Sequence, residues 1–286
     1  MDERYESYVL SRPHAQPLLA ARRAGADRAM TSLDLGVSRA EIGVTPEGVV
    51  LPDGQTLTWA ALDSIASDAA ACVLVERGVT CKIHAFSPDL GRAYSLLATS
   101  GAPTLINGGF TMHRIVGIDP HEDTLRKIRA IAPMHGDVLD TVTGLGYTAI
   151  EAAKTARRVV TVEVDPTVLE IARLNPWSRP LFERPNIERV IGDTFDVIQT
   201  FDDHSFARII HDPPSFSLAG DLYSGAYYRR LFRVLRRDGR LFHYIGNLDS
   251  KHGARVATGV IRRLKEAGFT RVERRPDAFG LVAYTA

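Results

Sequence analysis

From Ile118 to the C-terminus, short apolar runs alternate with helical stretches, and this alternation restricts the fold more than any other feature of the 286 residues. VLD (138–140) precedes a glycine turn and the helical TAIEAAKTA (148–156). VVTVEV (159–164) leads into PTVLEIARLN (166–175), and RVIG (189–192) into DTFDVIQTF (193–201). ARIIHD (207–212) leads into AYYRRLFRVLR (226–236), and RLFHYIG (240–246) into ARVATGVIRRLKEAG (254–268), before the closing TRVERR and GLVAYT. Parallel strands need a crossover between them, so this repeated unit implies a parallel, doubly wound α/β sheet. Just ahead of it, Asp119-Pro120 followed by Glu122 and Asp123 marks a helix start: a capping acid, a proline suited to the first turn, and acids at the positive dipole end.

The first 115 residues follow a different pattern. AQPLLAARRAGADRAM (15–30) is rich in Ala and Arg and predicts a helix. Beyond Ser38 the chain is punctuated by Pro46-Glu47-Gly48 and Pro52-Asp53-Gly54, where proline presets φ and glycine admits positive φ. CVLVE (72–76) and VTCKIHAF (79–86) flank Arg77-Gly78 as a hairpin would. A small antiparallel sheet over 38–97 is therefore expected, with the Gly-, Thr- and Asn-rich 99–112 as a connection. The expected organisation is a helix plus β-rich accessory domain over 1–115 and an α/β domain over 116–286.

Composition removes several classes. Hydrophobic residues make up 45% and charged residues 24%, as in ordinary soluble globular chains. No apolar run approaches the ~18 residues a membrane span needs, and MDERYESY lacks the basic and apolar regions of a secretory signal. Cys72 and Cys81 are too few for a disulfide scaffold, and their spacing fits no zinc motif, so no metal is expected. Both are expected as buried apolar side chains in a reducing, cytoplasmic setting. The net charge of +1 conceals a basic stretch, 220–275, with 14 basic against 5 acidic residues.

In a doubly wound sheet, ligands bind beyond the carboxyl ends of the strands, near the point where strand order reverses. Four successive strand ends or following turns carry an acid: Asp140, Glu163, Asp193 and Asp212. Helix-covered parallel strands select apolar residues, so packing explains these carboxylates poorly. Asp140 opens a turn containing Gly144 and Gly146, which lets backbone pass close to a ligand ahead of a helix that presents its N–H groups. Glu163 can accept both hydroxyls of a ribose, and Asp193 an exocyclic amino group of adenine. Gly144-x-Gly146-x-x-Ala149 equally satisfies the dinucleotide fingerprint, which leaves an NAD-binding oxidoreductase open.

After the fourth strand comes His211-Asp212-Pro213-Pro214-Ser215-Phe216. Here residues 116–286 resemble the class I S-adenosylmethionine (SAM)-dependent methyltransferases. DTVTGLGYTA is similar to their glycine motif, VVTVEVDPTVLEIAR to the second and VIGDTFDVI to the third. HDPPSF resembles the Asp/Asn-Pro-Pro-aromatic motif of enzymes that methylate amino nitrogens. DTVTGLGYTA and IIHDPPSFSLAG also resemble a group of uncharacterised methyltransferases known chiefly from archaea. Val142 stands where the first motif often has its first glycine. The resemblance implies a Rossmann-like methyltransferase sheet with SAM as cofactor. Asp140, Gly144 and Gly146 would approach the methionine end, Glu163 the ribose and Asp193 the adenine, with Thr141, Tyr147, Val164, Gly192 and Thr194 completing the set. Asp212, Pro213 and Phe216 would present an amino group: N–H bonds to Asp212 and the Pro213 carbonyl draw the nitrogen toward tetrahedral geometry, and Phe216 stacks on a planar acceptor. Asp212 or His211 would serve as general base. Pro214, Tyr223 and Tyr244 are expected along the acceptor pocket.

Two other likenesses compete. Residues 222–239 are similar to the spermidine-synthase-like aminopropyltransferases, which combine this fold with decarboxylated SAM and a β-rich N-terminal domain. Their Gly-Gly-Gly-Asp-Gly turn is missing here. Arg229, Arg230, Arg233, Arg236, Arg237 and Arg240, with Arg262, Arg263, Arg271, Arg274 and Arg275, could follow an RNA backbone, or form the solvated side of ordinary amphipathic helices. Cytosine-C5 chemistry would need a cysteine in the same domain, and none follows Cys81. The acceptor is expected to be an amine-bearing nucleobase, small molecule or protein. A SAM sensor without turnover is the remaining reading.

Overall fold

The computed structural model describes residues 7–214, 216 and 219–285. The acidic start (1–6), Ser215 of the fourth motif, Ser217, Leu218 and Ala286 lie outside the described residues. The chain divides into two compact units, Met1–His121 with Glu170–Arg179, and Glu122–Leu169 with Pro180–Ala286. No helix among the described residues is long and apolar enough to cross a membrane.

The first unit holds three antiparallel sheets. Tyr8–Leu10, Val73–Glu76 and Val79–Lys82 form one; Arg28–Thr31, Ala40–Val44, Gly48–Val50 and Thr56–Thr58 the second; His84–Ser87, Arg92–Leu97, Thr104–Asn107 and Phe110–Thr111 the third. The expected Arg77-Gly78 hairpin is present, with both residues at positive φ (53° and 74°), as a two-residue turn that follows strand twist requires. Three expectations are corrected. The first helix is Arg12–Ala24, because Gly25 turns left-handed and Arg28–Thr31 enters a sheet. The 38–97 stretch is interrupted by a helix, Trp59–Ser67, whose Trp59, Leu62 and Ile65 are buried at helical spacing and whose N-cap Thr58 accepts from the Ala61 N–H. Residues 99–112 are no mere connection: Asn107 pairs with Phe110 around a Gly108-Gly109 turn. Of the cysteines, Cys72 is buried, which pushes its thiol up to about 12, whereas Cys81 is exposed.

The second unit is built on a seven-stranded sheet: β1 (Asp137–Asp140), β2 (Arg158–Glu163), β3 (Ile187–Ile191), β4 (Phe206–His211), β5 (Leu235–Tyr244), β6 (Arg271–Arg275) and β7 (Gly280–Tyr284). Their order is β3-β2-β1-β4-β5-β7-β6. β1 to β5 are parallel, and β7 runs antiparallel to both of its neighbours. The doubly wound sheet expected from sequence is thus present, with β7 as its antiparallel member. The cause of that direction is the short turn Pro276–Ala278 with Phe279 at φ 53°, since so brief a link joins only antiparallel neighbours. Val138, Leu139, Val159, Val160, Ile209 and Leu241 are fully buried in the strands. The helix Gly225–Val234 covers the face that carries Leu139, Val160, Ile209 and Leu241 with Tyr227, Tyr228, Leu231 and Val234, the inward stripe of an amphipathic helix. It ends two residues before its expected limit because Leu235 pairs with Phe206 and begins β5.

Candidate active site

Strand register sorts the strand-end acids. Asp140 lies opposite Thr161 on β2 and Ile210 on β4. Side chains alternate along a strand, so Glu163 and Asp212, each two residues further on, belong to the same face. His211 and His243, paired across β4 and β5, belong to the opposite face.

The glycine turn leans on Glu163. This buried carboxylate accepts the Gly144 N–H at 2.9 Å through Oε2 and the Asp165 N–H at 3.1 Å through Oε1. Burial pushes its pKa up to about 7, against the pull of those two donors. Gly144 and Gly146 have φ of 54° and 79°, which a side chain would strain, and a Cβ on Gly146 would lie 2.6 Å from Leu181 Cδ2. Val142, where the motif often has glycine, packs against the core. Asp140 is fully buried. Its Oδ2 accepts the hydroxyls of Thr148 and Thr161, each at 3.0 Å, while Oδ1 has no hydrogen-bond partner among the described residues. Burial pushes its pKa up to about 8, with the two hydroxyls opposing. A buried carboxyl oxygen with no side-chain partner is an acceptor left for a ligand to satisfy, and the cationic end of a SAM-type donor fits that requirement.

The remaining expected cofactor residues are placed as follows. Tyr147 is buried and Val164 exposed. Gly192, at φ 154°, donates its N–H to the Glu163 carbonyl at 2.8 Å. Asp193 is exposed and caps Thr194–Val197 by accepting the Phe195 N–H at 2.8 Å. Thr194 Oγ1 is 2.9 Å from the Tyr227 hydroxyl.

His211 requires a correction. It is fully buried, with Nδ1 2.7 Å from Thr141 Oγ1 and Nε2 3.0 Å from the Leu222 carbonyl. A carbonyl only accepts, so Nε2 carries the proton and Nδ1 takes the threonine's. Burial pulls its pKa down to about 3. With both nitrogens committed to the fold, His211 is held as a structural hydrogen-bonder, against the expectation that either it or Asp212 would serve as general base. Its ring centroid lies 4.4 Å from that of His243, tilted by 54°, and His243 Nε2 is 2.9 Å from the Tyr228 hydroxyl.

Asp212 is placed to act. Its side chain is 20% exposed, and its Oδ2 is 2.6 Å from Nζ of Lys127, which is itself only 2% exposed. Lys127 also lies 2.9 Å from Asp123 Oδ2, and its ammonium sits 4.7 Å over the Tyr244 ring. Lys127 and Asp123, on the helix Pro120–Ile131, were not among the residues expected from sequence. Pro213 is buried. The Tyr223 hydroxyl donates to the Pro214 carbonyl at 3.0 Å, and the exposed Phe216 ring lies edge-on to Tyr223 at 5.5 Å. Asp212, Pro214, Phe216 and Tyr223 thus form one cluster, and Tyr244 reaches it through Lys127.

Several arginines are engaged inside the unit. Arg230 donates to the Phe195 carbonyl and lies over that residue's ring. Arg233 donates to the carbonyls of Ile198 and Phe201, Arg240 to that of Ala132 and Arg263 to that of Tyr223. Arg229, Arg236, Arg237, Arg262, Arg271 and Arg274 are exposed. In the first unit, His113 bonds Thr104, and the Trp177 indole donates to the Leu35 carbonyl.

The strand order, with one antiparallel strand between β5 and β6, defines a Rossmann-like methyltransferase fold rather than the 3-2-1-4-5-6 order of dinucleotide-binding sheets. A spermidine synthase in complex with the transition-state analogue AdoDATO matches with a TM-score of 0.57 at 18% identity, over 72% of this chain and 74% of its own. Spermidine synthase from Thermotoga maritima matches at 0.54 and 16% identity, over 72% and 73%. No family model matches the chain. An uncharacterised protein of Methanocaldococcus jannaschii is 44% identical over 234 residues, 81% of this chain and 79% of that protein, and the chain belongs to that protein's family. A polyamine aminopropyltransferase of Pyrobaculum calidifontis is 31% identical over 136 residues, which span 44% of this chain and 47% of that relative.

Proposed function

We propose that the chain is a transferase that moves the methyl group of SAM to an amino nitrogen of its acceptor. The observation that carries this reading is Asp212, a partly exposed carboxylate at the end of β4 whose Oδ2 is bound by Lys127 and whose other oxygen can accept an acceptor N–H. SAM, when bound, supplies a methyl carbon activated by the adjacent sulfonium. The acceptor nitrogen would form the new N–C bond as the C–S bond breaks, with the thioether as leaving group, and the ammonium so formed would pass its proton to solvent water at the exposed side of Asp212. Asp140 and Glu163 supply acceptors for the donor's cationic end and ribose, and Asp193 reaches toward the adenine. Asp212 and the stiff Pro213-Pro214 turn hold the amino group in line, which is mostly a matter of placement. Phe216, exposed beside Tyr223, offers a planar acceptor a face to lie on, which an aliphatic polyamine does not require.

A second reading, aminopropyl transfer from decarboxylated SAM, is favoured by the partial match to polyamine aminopropyltransferases. The two are separated by incubating the protein with methyl-labelled SAM or aminopropyl-labelled decarboxylated SAM, each with nucleosides, RNA and diamines. Methyl transfer that falls sharply in Asp212→Asn, with donor affinity kept, is the expected outcome. Transfer from decarboxylated SAM alone establishes the second reading. Tight NADH binding without binding of either donor sinks both, and donor binding with no turnover on any acceptor leaves a sensor.

A further inference from the structure

The helix Pro120–Ile131 carries a buried ion triad that ends on the acid at β4. Lys127 Nζ is held between Asp212 Oδ2 at 2.6 Å and Asp123 Oδ2 at 2.9 Å, with the Tyr244 ring beneath it. Exposure falls from 20% at Asp212 to 2% at Lys127 and none at Asp123, so the triad runs inward from a reachable carboxylate to an unreachable one. Stability alone is a weak reason for such a group. Well-packed apolar side chains of similar volume commonly serve a buried position as well or better, because the desolvation of each ion offsets the attraction. The arrangement is also directional: the lysine meets one edge of Asp212, and no described residue bonds the Oδ1 edge. Two carboxylates share one ammonium, and of the three groups Asp212 is the most exposed.

We propose that Lys127 is a positioning residue for Asp212: its ammonium takes the Oδ2 edge, leaves Oδ1 as the edge offered to the acceptor's amino group, and supplies a counter-charge beside the partly exposed carboxyl. The functional part of this inference rests on the amine-transfer reading above. Asp123 has the opposite effect on the charge balance, because it competes for the same ammonium. Asp212, so held, orients the acceptor by accepting an N–H, and Lys127 lowers its capacity to carry a proton away relative to the same site without the lysine. The groups facing Asp212 are Lys127 and Asp123 on the helix, Asp140 on β1, Tyr223 on the turn Gly220–Tyr223, and Tyr244 on β5 beneath the lysine.

The test is a carboxyl carbon NMR titration of the full chain labelled at aspartate, with the Asp212 signal assigned by its disappearance in Asp212→Asn. Lys127→Met should move the Asp212 midpoint up by about one to three pH units, the usual effect of losing an adjacent opposite charge. Asp123→Asn should move it down, because the lysine is then left to Asp212 alone. Lys127→Arg should restore most of the wild-type midpoint. A midpoint unchanged in Lys127→Met, or moving the same way in both variants, overturns the proposal. If Lys127→Met does not fold, as judged by circular dichroism, Asp123→Asn decides alone, and an unmoved or raised midpoint refutes the idea. The titration needs neither donor nor acceptor, so its failure is distinct from a failure to find transfer.

Discussion

Glu163→Gln should make the protein more resistant to rising pH while weakening its grip on the donor. The folded chain holds the Glu163 proton more tightly than the unfolded one, at about 7 against 4.5. Between those values the folded state binds more protons, so stability falls as pH rises through the interval and levels off above it. The stabilisation is fully present below 4.5 and gone above about 7. At about 1.4 kcal/mol per tenfold change in proton affinity, the loss is about 3 kcal/mol. About 2.5 kcal/mol of it falls between pH 5 and pH 8. Glutamine cannot ionise. It keeps a carbonyl for one of the two N–H donors, from Gly144 or Asp165, and sets an NH₂ against the other, at a pH-independent cost of about 1–3 kcal/mol. Urea unfolding at pH 5 and pH 8 should therefore show the wild type losing about 2.5 kcal/mol more than the variant, with the contributions of Asp140 and the other acids cancelling in the difference. In parallel, calorimetric titration with S-adenosylhomocysteine at pH 8 should show affinity falling about 10- to 100-fold, the worth of one or two hydrogen bonds to a charged group. Equal pH dependence in both proteins, within about 0.5 kcal/mol, would refute the burial argument. Unchanged affinity would remove Glu163 from the donor site.

Gly146→Ala should destabilise the second unit by about 1–3 kcal/mol, since its Cβ would meet Leu181 and its φ is left-handed. Adding Leu181→Ala relieves only the clash, so a double-mutant cycle should show the pair losing less than the sum of the singles; strict additivity would mean the contact is not the cause. His211 should stay uncharged from pH 5 to pH 9 in an imidazole NMR titration, because burial holds its pKa near 3, and a midpoint near 6.5 would contradict the double hydrogen bond assigned to it. If RNA is the acceptor, its affinity should fall steeply and log-linearly with salt, and replacing the exposed Arg236 and Arg237 should flatten that slope. No detectable RNA binding at low salt rules that acceptor out.

Two ion pairs on one helix mark where reading from sequence stops. Glu122–Arg126 and Asp123–Lys127 share the i,i+4 spacing on Pro120–Ile131, yet the first is 36% and 39% exposed and the second 0% and 2%. The apolar Leu125 and Ile128 suggest which face should turn inward, but the buried line runs through Pro120, Asp123, Thr124, Lys127 and Ile131. On that line Lys127 meets Asp212, 85 residues downstream, a partner supplied only by the tertiary fold. The arginines of Gly225–Val234 are the same case. A basic run reads as a patch, while the carbonyls of Phe195, Ile198 and Phe201 that engage Arg230 and Arg233 are far away in sequence. The strand-end acids, by contrast, were legible locally, as was the glycine turn. A strand inside a parallel sheet is covered on both faces, so a carboxylate at its end has no ordinary explanation and stands out. A helix always has one face where a Lys–Asp pair is ordinary. Nothing local therefore separated Lys127 from its surface neighbours, although it is the residue bound to the one strand-end acid that is both lysine-paired and reachable.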